Sequence, residues 1–200
     1  MDRTGSTKIR SVCRNALRRF ASSCSEDKYR RFSKEADVKF GVGSAIFDSL
    51  ESAGLLSRFQ LHFETPLSTA YNWFPNLRGL TAAKNEANVP LNRAWFADIV
   101  IYHYGGKKAD RTTITRFDAY IEVKHFSDEE SLDERRIRDD LRRLSGAKNR
   151  IADSCFIVFA YDVKKERKRL KEIETRSLTS RIQSLSSGAD SYSEVWEIAG

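Results

Sequence analysis

Apolar positions recur along this chain with two different periods, and the changes of period divide it into elements. Over residues 8–20, Ile9, Val12, Cys13, Ala16, Leu17 and Phe20 share one helical face, with Arg10, Arg14, Arg18 and Arg19 around the remainder. The arginines either stay solvated on a docked helix or also touch nucleic acid or a partner. Ser22 to Ser33 is polar and reads as a connection. The helical period then returns from Ser33 to Ala53, with Val38, Val42, Ala45, Ile46, Ser49 and Ala53 as the inward stripe and Gly54 as the stop. Arg58 to Pro66 alternates as a strand, with Phe59, Leu61 and Phe63 on one face and His62 and Glu64 on the other.

Residues 67–94 are the least regular long segment. They mix Tyr71, Trp73, Phe74 and Pro75 with Arg78, Lys84 and Arg93. A structureless loop of that length in a compact domain is either functional or hides local structure. Aromatics among cations suit stacking on unpaired bases, or equally a satellite hydrophobic cluster. Strand-like runs follow at about 95–104 and 116–126, joined by a Gly105-Gly106 turn and a polar stretch. A helix is expected from about Asp128 to Lys148, marked by Leu132, Ile137, Leu141 and Leu144. Ser154 to Tyr161 is continuously apolar, as a strand covered on both faces should be. A basic helix over Lys164 to Leu185 and an edge strand over Tyr192 to Ile198 complete the pattern.

This order predicts an α/β fold: a helix, a three-stranded antiparallel meander, a crossover helix and a strand returning parallel to one already in the sheet. The chain reads as one domain over 1–200, with a basic N-terminal helical extension (1–33), a core (35–162) and a C-terminal basic helix and edge strand (163–200). Two hundred residues suffice for a real core, and 40% hydrophobic with 11% aromatic content is globular rather than disordered.

No stretch approaches the roughly 18–20 apolar residues that span a bilayer, and no signal-peptide pattern opens the chain, so a soluble, cytoplasmic protein without a membrane partner is expected. Cys13, Cys24 and Cys155 are odd in number and lack zinc-ligand spacing, which predicts reduced thiols. A net charge of +7 and a pI near 9.4 favour an anionic partner, because cations that neutralise phosphates release counterions.

The chemistry concentrates in two strands. Asp98 stands near the start of Trp95-Phe96-Ala97-Asp98-Ile99-Val100-Ile101, and Tyr120-Ile121-Glu122-Val123-Lys124 follows. Period-two alternation puts Glu122 and Lys124 on one face while Ile121 and Val123 enter a core, and His125 points away from Lys124. If the two strands pair, Asp98, Glu122 and Lys124 converge: two carboxylates for a hard divalent cation, and an ammonium beside them to orient or help deprotonate an attacking water. A serine-nucleophile elbow and a phosphate-binding Gly-Lys-Ser/Thr loop are both missing from the sequence, and His62, His103 and His125 belong to no such arrangement.

These residues resemble the PD-(D/E)xK nuclease superfamily, whose signature is an Asp at a strand start and Glu-x-Lys on the next strand. The match lies in Ala97-Asp98 and Glu122-Val123-Lys124 and lacks the Pro before Asp98. Asp140-Leu141-Arg142-Arg143-Leu144 looks like the Asp-Leu-x-x-Leu element that many members place in the next helix. The resemblance covers about residues 35–162 and implies a restriction-endonuclease-like αβββαβ core, a mixed central sheet flanked by helices, with N- and C-terminal helical additions. It also implies Mg²⁺, replaceable by Mn²⁺, held by Asp98 and Glu122. Glu35 is the acidic residue on the first core helix in position to join them; its alternative role is a carboxylate favoured by the helix dipole.

The resulting expectation is a metal-dependent nuclease, DNA favoured over RNA, acting as a homodimer or as a subunit of a restriction, antiphage or mobile-element complex. The alternative is an inactive nuclease-fold protein that binds nucleic acid or assembles with partners. Arg142, Arg143 and Lys148 are the residues expected near a scissile phosphate, and Lys164, Lys165, Arg167 and Lys168 those of a second basic face.

Overall fold

The period-two stretches assemble into one six-stranded mixed sheet in the order β1-β2-β3-β4-β6-β5. A computed structural model describes residues 3–24, 34–67, 74–90, 95–103, 111–126, 133–148, 150–161, 164–177, 182–185 and 191–199. The strands are β1 (Phe59–Pro66), β2 (Phe96–His103), β3 (Phe117–Phe126), β4 (Ala152–Tyr161), β5 (Ile182–Ser184) and β6 (Ser193–Ile198). The helices are α1 (Arg3–Ser23), α2 (Glu35–Ser52), α3 (Leu80–Glu86), α4 (Glu134–Ala147) and α5 (Lys164–Ser177), with a single 3₁₀ turn at Arg111–Thr113. The pairs β1–β2 and β2–β3 are antiparallel and β3–β4 is parallel, with α4 as the crossover, so the expected αβββαβ order is present.

Two apolar layers sandwich the sheet. On one face, Ile99, Ile101, Ile121, Val123, Phe156 and Val158 meet Cys13, Leu17 and Phe20 of α1 and Val38, Val42 and Ile46 of α2. On the other, Tyr120, Ile157, Phe159 and Trp196 meet Ala83 of α3, Ile137, Leu141 and Leu144 of α4 and Leu170 of α5. β4 is covered on both sides, which is why it reads as a continuous apolar run. α2 ends where Gly54 adopts φ 66°, with Gly54 N–H donating to the Glu51 carbonyl and Leu55 N–H to the Leu50 carbonyl, closing the last turn. Asp133 caps α4 by accepting from the Arg135 amide at 2.9 Å. No described helix is long and apolar enough to cross a membrane.

Four sequence expectations change. Residues 67–94 contain α3, whose Ala83 and Ala87 pack into the core; Gly146 of α4 lets α3 approach closely, since a Cβ there would stand 2.6 Å from the Ala83 carbonyl oxygen. The helix expected to reach Leu185 ends at Ser177, and β5 follows at Ile182–Ser184. β6 is interior rather than an edge strand, lying between β4 and β5. β1 alternates only to Phe63: Glu64 has φ 47°, so Phe63 and Glu64 are both exposed while Thr65 and Pro66 are both buried. The Gly105-Gly106 turn, Leu132, Tyr71, Trp73, Arg93 and most of the Ser22–Ser33 connection lie outside the described residues.

α1 is fastened by the arginines that its apolar stripe leaves over. Arg10 Nε and Arg14 Nε each approach a carboxylate oxygen of fully buried Glu197 in β6 at 2.6 Å. Arg18 donates to the Leu185 carbonyl at 3.1 Å and Arg19 to Ser49 Oγ at 2.8 Å. Neither expected role describes these arginines: they are bonded within the fold, to β6, to Leu185 and to Ser49.

Candidate functional site

β2 and β3 pair only over Ile99↔Ile121, Val100↔Tyr120 and Ile101↔Ala119, whereas β3 stays paired with β4 as far as Phe126↔Tyr161. The site lies where β2 leaves β3. One step past the last pair, in the same register, Asp98 comes opposite Glu122, and the two carboxyl groups are hydrogen-bonded. Asp98 Oδ2 also accepts from the Val123 amide at 2.7 Å, so the carboxylate takes the N–H that a strand partner would have taken.

Glu122 is fixed from beneath by a residue two positions earlier, on the same face. The Tyr120 hydroxyl donates to Glu122 Oε1 and accepts from Trp95 Nε1 at 2.9 Å. Tyr120 sits inside the signature run, and period two alone would have put it beside Glu122. Burial and the Asp98 charge push the Glu122 carboxyl well above the usual carboxylate range. Burial acts the same way on Asp98, but hydrogen bonds with Glu122, Lys39 and the Val123 amide outweigh it and hold Asp98 below its ordinary value. The surroundings thus favour the proton on Glu122 and the charge on Asp98.

Lys124 shares the face of Glu122, and its Nζ stands 3.3 Å from Asp140 Oδ2. Asp140, the first residue of the Asp-Leu-x-x-Leu element, is buried and is also bound by Arg143. Lys124 and Asp140 line a cleft of about 1290 Å³ whose walls include Glu35, Trp95, Phe96, Arg135, Arg136, Arg138, Arg142 and Arg143. Phe96 is among the exposed large apolar side chains. Several of the arginines have local partners: Arg142 pairs with Asp139 at 2.8 Å and Arg138 with Glu134.

Lys39, which no sequence pattern singled out, completes the site. Its Nζ lies 2.8 Å from Asp98 Oδ1, 2.5 Å from Glu64 Oε1 and 3.0 Å from Glu35 Oε1. Burial lowers the Lys39 pKa, but these carboxylates more than offset that and leave it raised. Glu35 thus reaches the site through Lys39. Among the described residues, no three His, Cys, Asp or Glu side chains gather as a metal-holding group. The Asp98–Glu122 pair does fit a hard cation: Mg²⁺ is commonly held by one or two carboxylates, with water and substrate phosphate completing its shell. Two neighbouring buried carboxyl groups offer an anionic seat to a cation once both are deprotonated.

Lys148, Arg167 and Lys168 lie elsewhere. Lys148 Nζ donates to the Asp153 carbonyl at 2.5 Å. Arg167 is bound to buried Glu194 of β6 at 3.1 Å, and Lys168 is exposed on α5. The side chains of Lys164 and Lys165 lie outside the described residues.

Comparison with models of protein families, with curated proteins and with solved structures yields no match for this chain.

Proposed function

We propose that this protein is a metal-dependent phosphodiesterase acting on nucleic acid, DNA in preference to RNA, of the PD-(D/E)xK kind. One observation carries the reading: Asp98 and Glu122, from neighbouring strands, meet where those strands part, with Lys124 beside them on the wall of an arginine-lined cleft. Asp98 and Glu122 would hold Mg²⁺, or Mn²⁺ in its place. The ion's contribution when bound is Lewis-acid stabilisation of charge on the phosphoryl oxygens and a more acidic water. Tyr120 and the Val123 amide fix the directions of the two carboxylates. Lys124, steadied by Asp140, supplies positive charge next to them and orients the attacking water. The cleft arginines bind the phosphate backbone, and exposed Phe96 offers a surface on which a base can stack. Such an enzyme would work in the cytoplasm, alone, as a homodimer, or as the nuclease subunit of a restriction, antiphage or mobile-element system.

The test is incubation of the wild type, Asp98→Ala and Lys124→Ala with plasmid, linear and single-stranded DNA and RNA, each with Mg²⁺ and with Mn²⁺. Cleavage by the wild type and loss of at least about a hundredfold in both variants is expected. Variants that cleave at the wild-type rate would remove the assignment.

A second reading, a nuclease-fold module that binds nucleic acid or partner proteins without cutting it, draws on one observation. Among the described residues the carboxylates gather around Lys39 rather than as a three-ligand group. Absence of cleavage together with absence of Mn²⁺ binding would favour it.

A further inference from the structure

Lys39 is held by carboxylates from three elements: Glu35 one turn earlier on α2, Glu64 on β1 and Asp98 on β2. An ammonium has three hydrogens to donate, and three acceptors lie within 3.0 Å of this one. None of this follows from helical packing. Glu35 and Lys39 alone would form an ordinary exposed i,i+4 pair. Glu64 comes within reach where its backbone turns to φ 47° and breaks the alternation of β1.

The two oxygens of Asp98 are in different situations. Oδ2 is engaged by the Val123 amide, which belongs to the sheet. Oδ1 points to Lys39 at 2.8 Å. A cation that uses Asp98 must approach an oxygen whose outer side the Lys39 ammonium already covers. A divalent ion coordinated at about 2.0–2.1 Å and an ammonium at hydrogen-bond distance from the same oxygen repel strongly in a partly buried pocket.

Resting on the metal-dependent reading above, we infer that Lys39 is an internal stand-in for the metal ion. It neutralises Asp98 while the site is metal-free and leaves Asp98 Oδ1 when a divalent cation binds. Glu35 and Glu64 keep hold of the ammonium after it moves, so the exchange transfers charge within the cluster without exposing a bare lysine. The role of Glu35 changes accordingly: it anchors the stand-in, and the cation is held by Asp98 and Glu122. Metal affinity is set by a competition built into α2, and Asp98 has a cationic partner in the resting site without bound metal.

The experiment is titration calorimetry of the full chain with Mn²⁺, after EDTA treatment and dialysis, for the wild type, Lys39→Met and Asp98→Asn. Thermal unfolding is followed in EDTA and in Mn²⁺. The stand-in role requires Lys39→Met to bind Mn²⁺ more tightly than the wild type, by roughly tenfold. It also requires Lys39→Met to melt lower in EDTA and to recover more than the wild type when Mn²⁺ is added. Asp98→Asn should bind in neither setting. Equal or weaker Mn²⁺ affinity in Lys39→Met, or an equal loss of melting temperature with and without metal, overturns the stand-in role while wild-type binding leaves the metal site in place. No Mn²⁺ binding by either wild type or Lys39→Met overturns both. If Lys39→Met does not fold in EDTA, Lys39→Gln carries the same test, since its amide can still donate to Asp98 without bringing a charge.

Discussion

Asp98 and Glu122 face each other one residue beyond the end of the β2–β3 ladder, where burial and the Asp98 charge push the Glu122 carboxyl up while hydrogen bonds hold Asp98 low. The two groups have opposite linkage to pH. Asp98, held low, contributes stability above its unfolded pKa and loses it as pH falls through the folded value. Glu122, held high, contributes below its unfolded pKa and loses that contribution as pH rises through its own folded value. A cation that takes both oxygens must expel the proton on Glu122. Mn²⁺ binding should therefore release a proton and strengthen as pH rises. Calorimetry in two buffers of different ionisation enthalpy measures this directly; identical heats in both would mean that no proton leaves.

Tyr120→Phe tests the support under Glu122. The variant deletes the hydroxyl that donates to Glu122 and accepts from Trp95, leaving two buried polar groups short of a partner. A loss of about 1–3 kcal/mol is expected in urea unfolding. On the proposed function, cleavage should drop beyond what that loss explains, because Glu122 is freed to rotate. Activity equal to wild type at a temperature where the variant is folded would separate Tyr120 from the chemistry.

The arginines divide into two groups with different expected readouts. Arg10 and Arg14 neutralise Glu197, which is 0% exposed, so replacing both with Ala strands a buried charge and should cost about 3–5 kcal/mol. Where that variant remains folded, its nucleic-acid affinity should match the wild type. Replacing exposed Arg135, Arg136 and Arg142 with Ser should leave the melting temperature nearly unchanged. It should also weaken binding and flatten the salt dependence by up to about one unit per lost phosphate contact. Fluorescence anisotropy from low to moderate salt distinguishes the groups, and an unchanged slope in the cleft variant would place the nucleic acid elsewhere.

Asp118 provides a pH effect remote from the site. Burial raises its carboxyl to about 6, although it accepts the His103 amide at 2.8 Å. A raised carboxyl favours the folded state below its unfolded pKa and loses that contribution as pH climbs through about 6. Asp118→Asn keeps an acceptor for the amide and removes the ionisation. Its melting temperature should vary less than that of the wild type between about pH 4 and pH 7 and exceed it at the upper end. Parallel curves for the two proteins would show that Asp118 does not titrate in that window.

What was legible in advance follows from which forces are local. Period-two alternation put Glu122 and Lys124 on one face, and the order of apolar runs implied the neighbouring β2 and β3 that bring Asp98 to them. Lys39 could not be read in this way. In sequence it is one more helical lysine near Glu35, and only the packing of α2 over the end of β2, with the turn at Glu64, makes it a neighbour of Asp98. β6 misled for a related reason. Glu194 and Glu197 point to opposite faces of the strand, and a carboxylate on each face is unexpected for an interior strand; both are buried, Glu194 against Arg167 and Glu197 against Arg10 and Arg14. α3 was hidden by its shortness and by alanines where larger apolar residues would have displayed the period.

The fastening of α1 to β6 also sets an order of events during synthesis. The Arg10–Glu197 contact joins residues 187 positions apart, and the Tyr192 amide and Ser191 hydroxyl bond to the Cys24 and Ala21 carbonyls at the end of the same helix. Contacts of such sequence separation are costly to close and form late. On the ribosome α1 would emerge first and wait longest for its partner strand, with Glu197 still to be translated when the Asp98 and Glu122 strands are already free to pair. On that order the pairing that brings Asp98 and Glu122 together would precede the closure that secures the sheet, and a nascent chain would hold its buried carboxyl pair before it acquired its full resistance to unfolding.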